Sequence, residues 1–240
     1  MFEIKKTPKA VIIAGTGDGY EFIPKNTNKT LYCLNDWIRI ERFGLKPDIL
    51  FIMDVLDEKP QVVSGIQNLG ESIAKINQMK IPLIAPFKYE EIPLSQAFPL
   101  KECAEEFGKP YFSNTISYMI AYTLLEFLKI ARKENPKIRL LNDFSLSTYG
   151  VNQASSSEYF YEKASVEYWL GIANGLGVDI TINGSRSELL CNKKRFGGSL
   201  LYGYNQTYDE IVHMNEKFGE QIVKKLFTPR RSKPMEIKET

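Results

Sequence analysis

The chain has one histidine and three cysteines among its 240 residues. Cys33, Cys103 and Cys191 lie far apart and none sits in a Cys-x-x-Cys pair, so a zinc site is not expected and reduced thiols in a cytoplasmic protein are. An excess of one charge is lacking too. Basic residues number 31 and acidic ones 29, a net charge of +2 that gives no field to argue for nucleic acid. No apolar run approaches the ~18 residues a membrane span needs, and the start Met-Phe-Glu-Ile-Lys-Lys lacks the basic-then-apolar order of a secretory signal. Internal repeats and low-complexity tracts are missing. With 43% hydrophobic and 25% charged residues, the composition is that of a globular chain able to bury one sizeable core.

What is present begins at Lys9-Ala-Val-Ile-Ile-Ala-Gly-Thr-Gly-Asp-Gly19. A short β-branched apolar run suits a strand buried on both faces of a parallel sheet. Gly15, Gly17 and Gly19 just past its end let the backbone turn and approach a ligand closely, at the edge where open α/β sheets bind ligands. The spacing is G-x-G-x-G. Neither the dinucleotide fingerprint G-x-G-x-x-G nor the P-loop is present.

Further strand candidates are Leu31–Leu34, Ile49–Met53, Pro82–Ala85, Ile138–Leu141 and Val178–Ile182, between stretches of helical period at Thr115–Arg132, Glu158–Asn174 and Tyr208–Phe227. This alternation predicts an α/β fold with a mainly parallel sheet flanked by helices. Residues 86–108 and 183–203 are weakly periodic and are expected as irregular loops or a lid; residues 1–227 form one domain in this expectation, and 228–240 a basic tail. Tyr- and Phe-rich helices are compatible with a homo-oligomer.

Several strand candidates end in polar residues: Asn35-Asp36, Asp54 and Asn142-Asp143. At carboxyl strand ends these converge on the crevice beside Gly15 and Gly17, to bind a ribose or base or to hold magnesium through Asp54 and Asp143. Each can equally cap the helix that follows. Ser113, Asn114 and Thr115 open the long helix, at a positive end suited to phosphate or simply as caps. Ser155 and Glu158 have the spacing of a capping box, which puts Tyr159 at a helix start within reach of a substrate or in the core. His213, between Val212 and Met214, is expected to be a packing or surface residue.

Val-Ile-Ile-Ala-Gly-Thr-Gly, Leu-Tyr-Cys-Leu-Asn-Asp (31–36), Ser-Asn-Thr-Ile-Ser-Tyr-Met (113–119) and Leu-Asn-Asp-Phe (141–144) together resemble two related groups. One is the small bacterial lipooligosaccharide sialyltransferases. The other is the MptE-like 6-hydroxymethylpterin diphosphokinase domain, which also occurs in phage-encoded proteins. The resemblance covers roughly residues 9–190 and implies a Rossmann-like sheet with a nucleotide at its carboxyl edge. It also implies nucleotide contacts from Gly15, Gly17 and Asn35, with Thr115 near a phosphate. The chain departs from both groups at Asp18-Gly19, where they carry Pro-Ser. It lacks the sialyltransferase histidine, having Asn152-Gln-Ala-Ser-Ser-Ser there.

The resulting expectation is a nucleotide-dependent transferase that moves a glycosyl or diphosphoryl group from a nucleotide or nucleotide-sugar donor to a small acceptor. Asp54, Asp143 and Tyr159 are its candidate catalytic residues, magnesium its metal on Asp54 and Asp143. Gly15, Gly17, Asn35, Asp36, Asn114 and Thr115 are the candidate nucleotide contacts. The alternative is a non-catalytic binding or assembly module that retains the fold.

Overall fold

The computed structural model describes residues 9–17, 19–35, 45–59, 68–108, 111–151, 157–184 and 189, with His213, Glu216 and Lys217; for 157–161 it describes the backbone alone. The chain divides into two compact units, Met1–Cys191 and Asn192–Thr240. In the second unit His213, Glu216 and Lys217 are helical and exposed. The rest of the expected helix at 208–227 and the expected basic tail lie outside the described residues, as do Asp18, Asp36 and the capping box.

The first unit is built on a seven-stranded sheet. Its strands are β1 (Ala10–Ala14), β2 (Thr30–Leu34), β3 (Ile49–Phe51), β4 (Leu83–Ala85), β5 (Ser95–Ala97), β6 (Ser145–Tyr149) and β7 (Asp179–Asn183). Every pairing is parallel, in the order β5-β4-β3-β2-β1-β6-β7. This is the Rossmann-like α/β architecture expected from the alternating pattern. The helices are α1 (Leu69–Met79), α2 (Leu100–Phe107), α3 (Thr115–Glu134) and α4 (Ser157–Gly175). Among the described residues no helix is long and apolar enough to cross a membrane.

Burial on both faces explains why β1 reads as an unbroken apolar run. Val11 and Ile13 point to one face with Tyr32, Ile49 and Phe51, in the cluster that α3 and α4 complete. Ile12 and Ala14 point to the other with Leu31, Cys33 and Leu50, against Ile76 of α1. α3 packs on the sheet, α2 and α4 at once, which accounts for its broad apolar circumference. Arg132 and Glu106 form two hydrogen bonds of 2.6 and 2.7 Å that join α3 to α2. Lys9 at the start of β1 pairs with Glu134 at the end of α3 at 3.2 Å. The far end of α3, about 30 Å away at 1.5 Å per residue, therefore lies toward the carboxyl edge of the sheet.

The chain runs outward from β1 to β5, then returns through α2 and α3 to place β6 on the other side of β1. Strand order thus reverses between β1 and β6, the switch point at which open α/β sheets form a ligand crevice.

Three expectations are corrected here. The strand paired with β1 is Ser145–Tyr149, and not Ile138–Leu141. Leu140 is 53% exposed, while Leu141 donates its amide to the Leu176 carbonyl and starts a turn closed by Phe144. Ser-Leu-Ser-Thr-Tyr qualifies as a strand because Leu146 faces α3 and α4, whereas Ser147 on the opposite face meets Lys29 Nζ at 3.3 Å. Residues 86–108 are not an irregular insertion. They contain β5, an edge strand with little need for apolar residues, and α2. β5 is pinned by Ser95 Oγ, which accepts from the Tyr89 amide and donates to its carbonyl, each at 3.0 Å. α1, capped by Asn68, was absent from the expected helices altogether. Of 183–203, Asn183 ends β7 and Leu189 is buried in the core; the rest apart from Gly184 lies outside the described residues.

Cys33 and Cys103 are both fully buried. Burial pushes the Cys33 thiol well up and takes Cys103 to about 12. Since the thiolate is the nucleophile, both should resist iodoacetamide at about pH 8 in the folded protein and label readily in urea. Peptide mass spectrometry after timed labelling checks this, and rapid native labelling of either would contradict the packing described.

Candidate functional site

Five strand ends line the carboxyl edge around the switch point, in the order Asp54 beyond β3, Asn35 beyond β2, Gly15–Gly17 beyond β1, Gly150 beyond β6 and Asn183 ending β7. At about 4.8 Å between strands, Asp54 stands two strands, roughly 10 Å, from the glycine loop. The amino end of α3 adds Asn114 and Thr115 to the same edge. Gly15, Gly17, Asn35, Asp54, Asn114 and Thr115 therefore share one side of the sheet.

The glycine loop is committed to the protein's own backbone. Gly15 N donates to Tyr149 O at 2.8 Å and Gly17 N to Gly150 O at 2.9 Å, which prolongs the β1–β6 ladder past the strand ends. Gly19 N donates to Glu21 Oε2 at 2.9 Å, at the start of the short 3-10 turn Tyr20–Phe22. Gly15 is required because a Cβ there would collide with the Gly150 carbonyl. Gly150 is required twice over: its φ is +65°, and a Cβ would lie 2.7 Å from Gly17 O. The close approach that glycine permits is thus between two loops of this chain. Three amides that a phosphate would otherwise use are already satisfied.

Asn114 caps α3, its Oδ1 accepting from the Ser117 amide at 2.9 Å, so the capping alternative holds for it. Its Nδ2 donates to Glu162 Oε2 of α4 at 3.4 Å. Ser113 Oγ and Ser165 Oγ are 2.6 Å apart, a second tie between α4 and the entry to α3. Thr115 is the first helical residue and is half-buried. An aromatic stack holds the approach: the Phe112 ring lies between Tyr118 at 4.1 Å and Trp169 at 5.1 Å, and Trp169 Nε1 donates to Tyr111 O. Glu162 was missing from the sequence-derived candidates. It places a carboxylate at the positive end of a helix, the position a phosphate would favour. Its only sequence signal is its place on a helix face that a parallel fold turns toward α3.

Asp54 is half-buried, and its Oδ1 pairs with Lys59 Nζ at 3.0 Å. Asn35 is half-buried at the end of β2. Tyr149, another residue missed earlier, ends β6 at the switch point, and burial raises its phenol pKa.

Asp143 does not belong to this site. It precedes β6 and is exposed at the amino edge, where Ser145 N bonds Lys9 O at 2.9 Å beside the start of β1. Its expected place rested on a strand ending at Leu141; with the strand beginning at Ser145, Asp143 falls on the opposite edge. It is separated from Asp54 by about the length of a strand, roughly 15 Å. One magnesium ion cannot bridge the two. Among the described residues no three of His, Cys, Asp and Glu gather as a metal-binding group. The donor set does not fit the expected dicarboxylate magnesium site. Tyr159 lies within α4, and its side chain, like Asp36, is outside the described residues.

No protein-family model matches the chain, and no curated protein or solved structure matches it.

Two outcomes follow from this geometry. Gly15→Ala should lower unfolding stability by about 1–3 kcal/mol, since backbone lies where the methyl would go, whereas Gly171→Ala, with nothing within 4 Å on α4, should raise it by about 0.5–1 kcal/mol. Asn114→Ala should cost about 1 kcal/mol through loss of the cap, together with the longer bond to Glu162. Urea unfolding of the three variants measures all of these, and a neutral Gly15→Ala would undo the loop-on-loop contact.

Proposed function

We propose that the chain binds a nucleotide or nucleotide-sugar at the carboxyl edge, beside Gly15–Gly17, and uses it as the donor for glycosyl or diphosphoryl transfer to a small acceptor. The observation that supports this is the switch point: strand order reverses between β1 and β6, directly at the glycine loop. Ribose and base meet Asn35 and the loop in this reading. Lys59, already beside Asp54, supplies positive charge for the donor phosphates, because the loop amides are occupied. Asp54 accepts the proton of the acceptor hydroxyl. Such a reaction asks the protein mainly for positioning and charge stabilisation. No step is assigned to a metal.

A second reading is a binding or assembly module that keeps the fold without catalysis. The occupied glycine amides, the capping role of Asn114 and the carboxylate of Glu162 at the end of α3 favour it. The two are separated by one experiment. Thermal-shift and turnover assays with CMP, CDP, UDP, GDP, ATP and their sugar derivatives, with and without magnesium, should show stabilisation by at least one of them. A hundredfold excess over Kd adds about 2.7 kcal/mol. Asp54→Asn should then remove turnover while changing nucleotide affinity by less than about tenfold, and Asp143→Asn should change neither. Binding without turnover, or no binding by any of the series, rejects the transferase and leaves the module.

A further inference from the structure

Two Asn-Gly pairs stand among the described residues, Asn174-Gly175 at the end of α4 and Asn183-Gly184 at the end of β7. Such a pair is chemically labile because glycine has no side chain to shield its amide nitrogen from the asparagine before it. The fold treats the two pairs differently. Gly175 is the last residue of α4, so its amide is held on the carbonyl of residue 171 by the helical i to i−4 pattern. The Asn174 carbonyl is tied as well, accepting from Gly177 N at 3.0 Å. The backbone of this pair is fixed on both sides of the bond that would have to turn.

Asn183 is placed otherwise. β7 pairs with β6, and among the described residues no strand flanks its other side. Asp179 N donates to Phe144 O at 3.0 Å, so alternate residues of β7 turn their amides to β6 and those between turn theirs to the outer edge. Gly184 falls in the second set. Among the described residues neither its amide nor the side-chain amide of Asn183 has a hydrogen-bond partner. No such bond opposes rotation about the Asn183 Cα–C bond, the motion that brings the two groups together. Gly184 also has φ +142°, a conformation that favours glycine, so the residue that makes the pair labile is the one this turn requires.

We infer that Asn183 is a site of self-modification, converted by the chain's own backbone to aspartate and isoaspartate. Solvent hydroxide takes the Gly184 amide proton, and the nitrogen attacks Asn183 Cγ. The N–Cγ bond forms, the Cγ–Nδ2 bond breaks, and Nδ2 takes a proton from water and leaves as ammonia, which regenerates the hydroxide. A further water opens the cyclic imide at either carbonyl, giving an aspartyl or an isoaspartyl linkage with no change of oxidation state. The site belongs to the carboxyl edge: a Cβ at Gly19 would lie 3.5 Å from Gly184 Cα and 3.7 Å from Asn183 O. Either product therefore sets a new carboxylate near the glycine loop, and the isoaspartyl form also lengthens the backbone there by a methylene. This holds whether or not the edge binds a nucleotide. Exposure alone gives the reverse order of reactivity, since Asn174 is exposed and Asn183 half-buried.

The test is incubation of the full chain, native and in urea, in one mildly alkaline buffer, with timed peptide mapping of both asparagines. Electron-transfer fragmentation tells aspartyl from isoaspartyl products. In urea the two pairs are the same dipeptide and should convert at similar rates. In the native chain Asn183 should convert at least about tenfold faster than Asn174, with isoaspartate among its products. Asn183→Gln should remove the signal at that position, because glutamine would have to close a larger ring, and should leave Asn174 unchanged. Should that variant fail to fold, the wild-type comparison of native with urea rates still decides. Native conversion of Asn183 as slow as that of Asn174, faster conversion at Asn174, a difference between the sites that persists in urea, or products of Asn183 without isoaspartate would each overturn the proposal.

Discussion

The backbone seam between the glycine loop and Gly150 is the constraint from which the rest of the carboxyl edge follows. β1 and β6 are neighbours in space but far apart in sequence, and their pairing is what brings the strand order to a reversal. Two further amide bonds carry that pairing beyond the strands, from Gly15 to Tyr149 and from Gly17 to Gly150. Side chains at Gly15 or Gly150 would force the loops apart. The glycines whose spacing suggests a ligand loop are thus consumed in building this edge. A ligand there must be met by side chains and by the open face of the loop.

α3 is the second organising element. Its carboxyl end is fixed near β1 by Lys9 and Glu134, and its amino end by the Phe112 stack and the ties to α4. Between these anchors it buries residues on most of its circumference, against sheet, α2 and α4. Tyr32, Phe51 and Tyr122 meet as a tilted and edge-on aromatic trio at the centre of that interface. The hydroxyl of Tyr32 has no hydrogen-bond partner among the described residues, as is also true of Thr30 and Thr148 on the same face of the sheet. Each such buried group costs about 1–3 kcal/mol, so the apolar packing under α3 must more than offset them.

The two edges of the sheet differ in chemical character. The carboxyl edge presents the side chains of Asn35 and Thr115 and the Asp54–Lys59 ion pair. The amino edge, between α1 and the segments entering β3 and β4, presents aliphatic walls with two lysines. Parallel strands cause this separation, because every strand enters at one edge and leaves at the other.

Strands and helices with strong local signals were legible in the amino-acid sequence: β1 to β4, β7, α3 and α4 all carry the apolar runs or helical period that burial imposes. The parallel sheet followed from their alternation, and with it the edge on which Gly15, Gly17, Asn35 and Asp54 stand. Elements whose identity depends on neighbours were not legible. β6 is a strand because Ser145, Leu146, Ser147, Thr148 and Tyr149 pair with β1, while the more apolar Ile138–Leu141 is held outside the sheet by the bond to Leu176. That displacement of a few residues moved Asp143 to the opposite edge. The opposing of Glu162 to α3 and the occupation of the glycine amides were likewise decided in three dimensions. Composition and period report how deeply a segment is buried, but hydrogen-bond partners are chosen across the sheet, between residues that no local pattern connects.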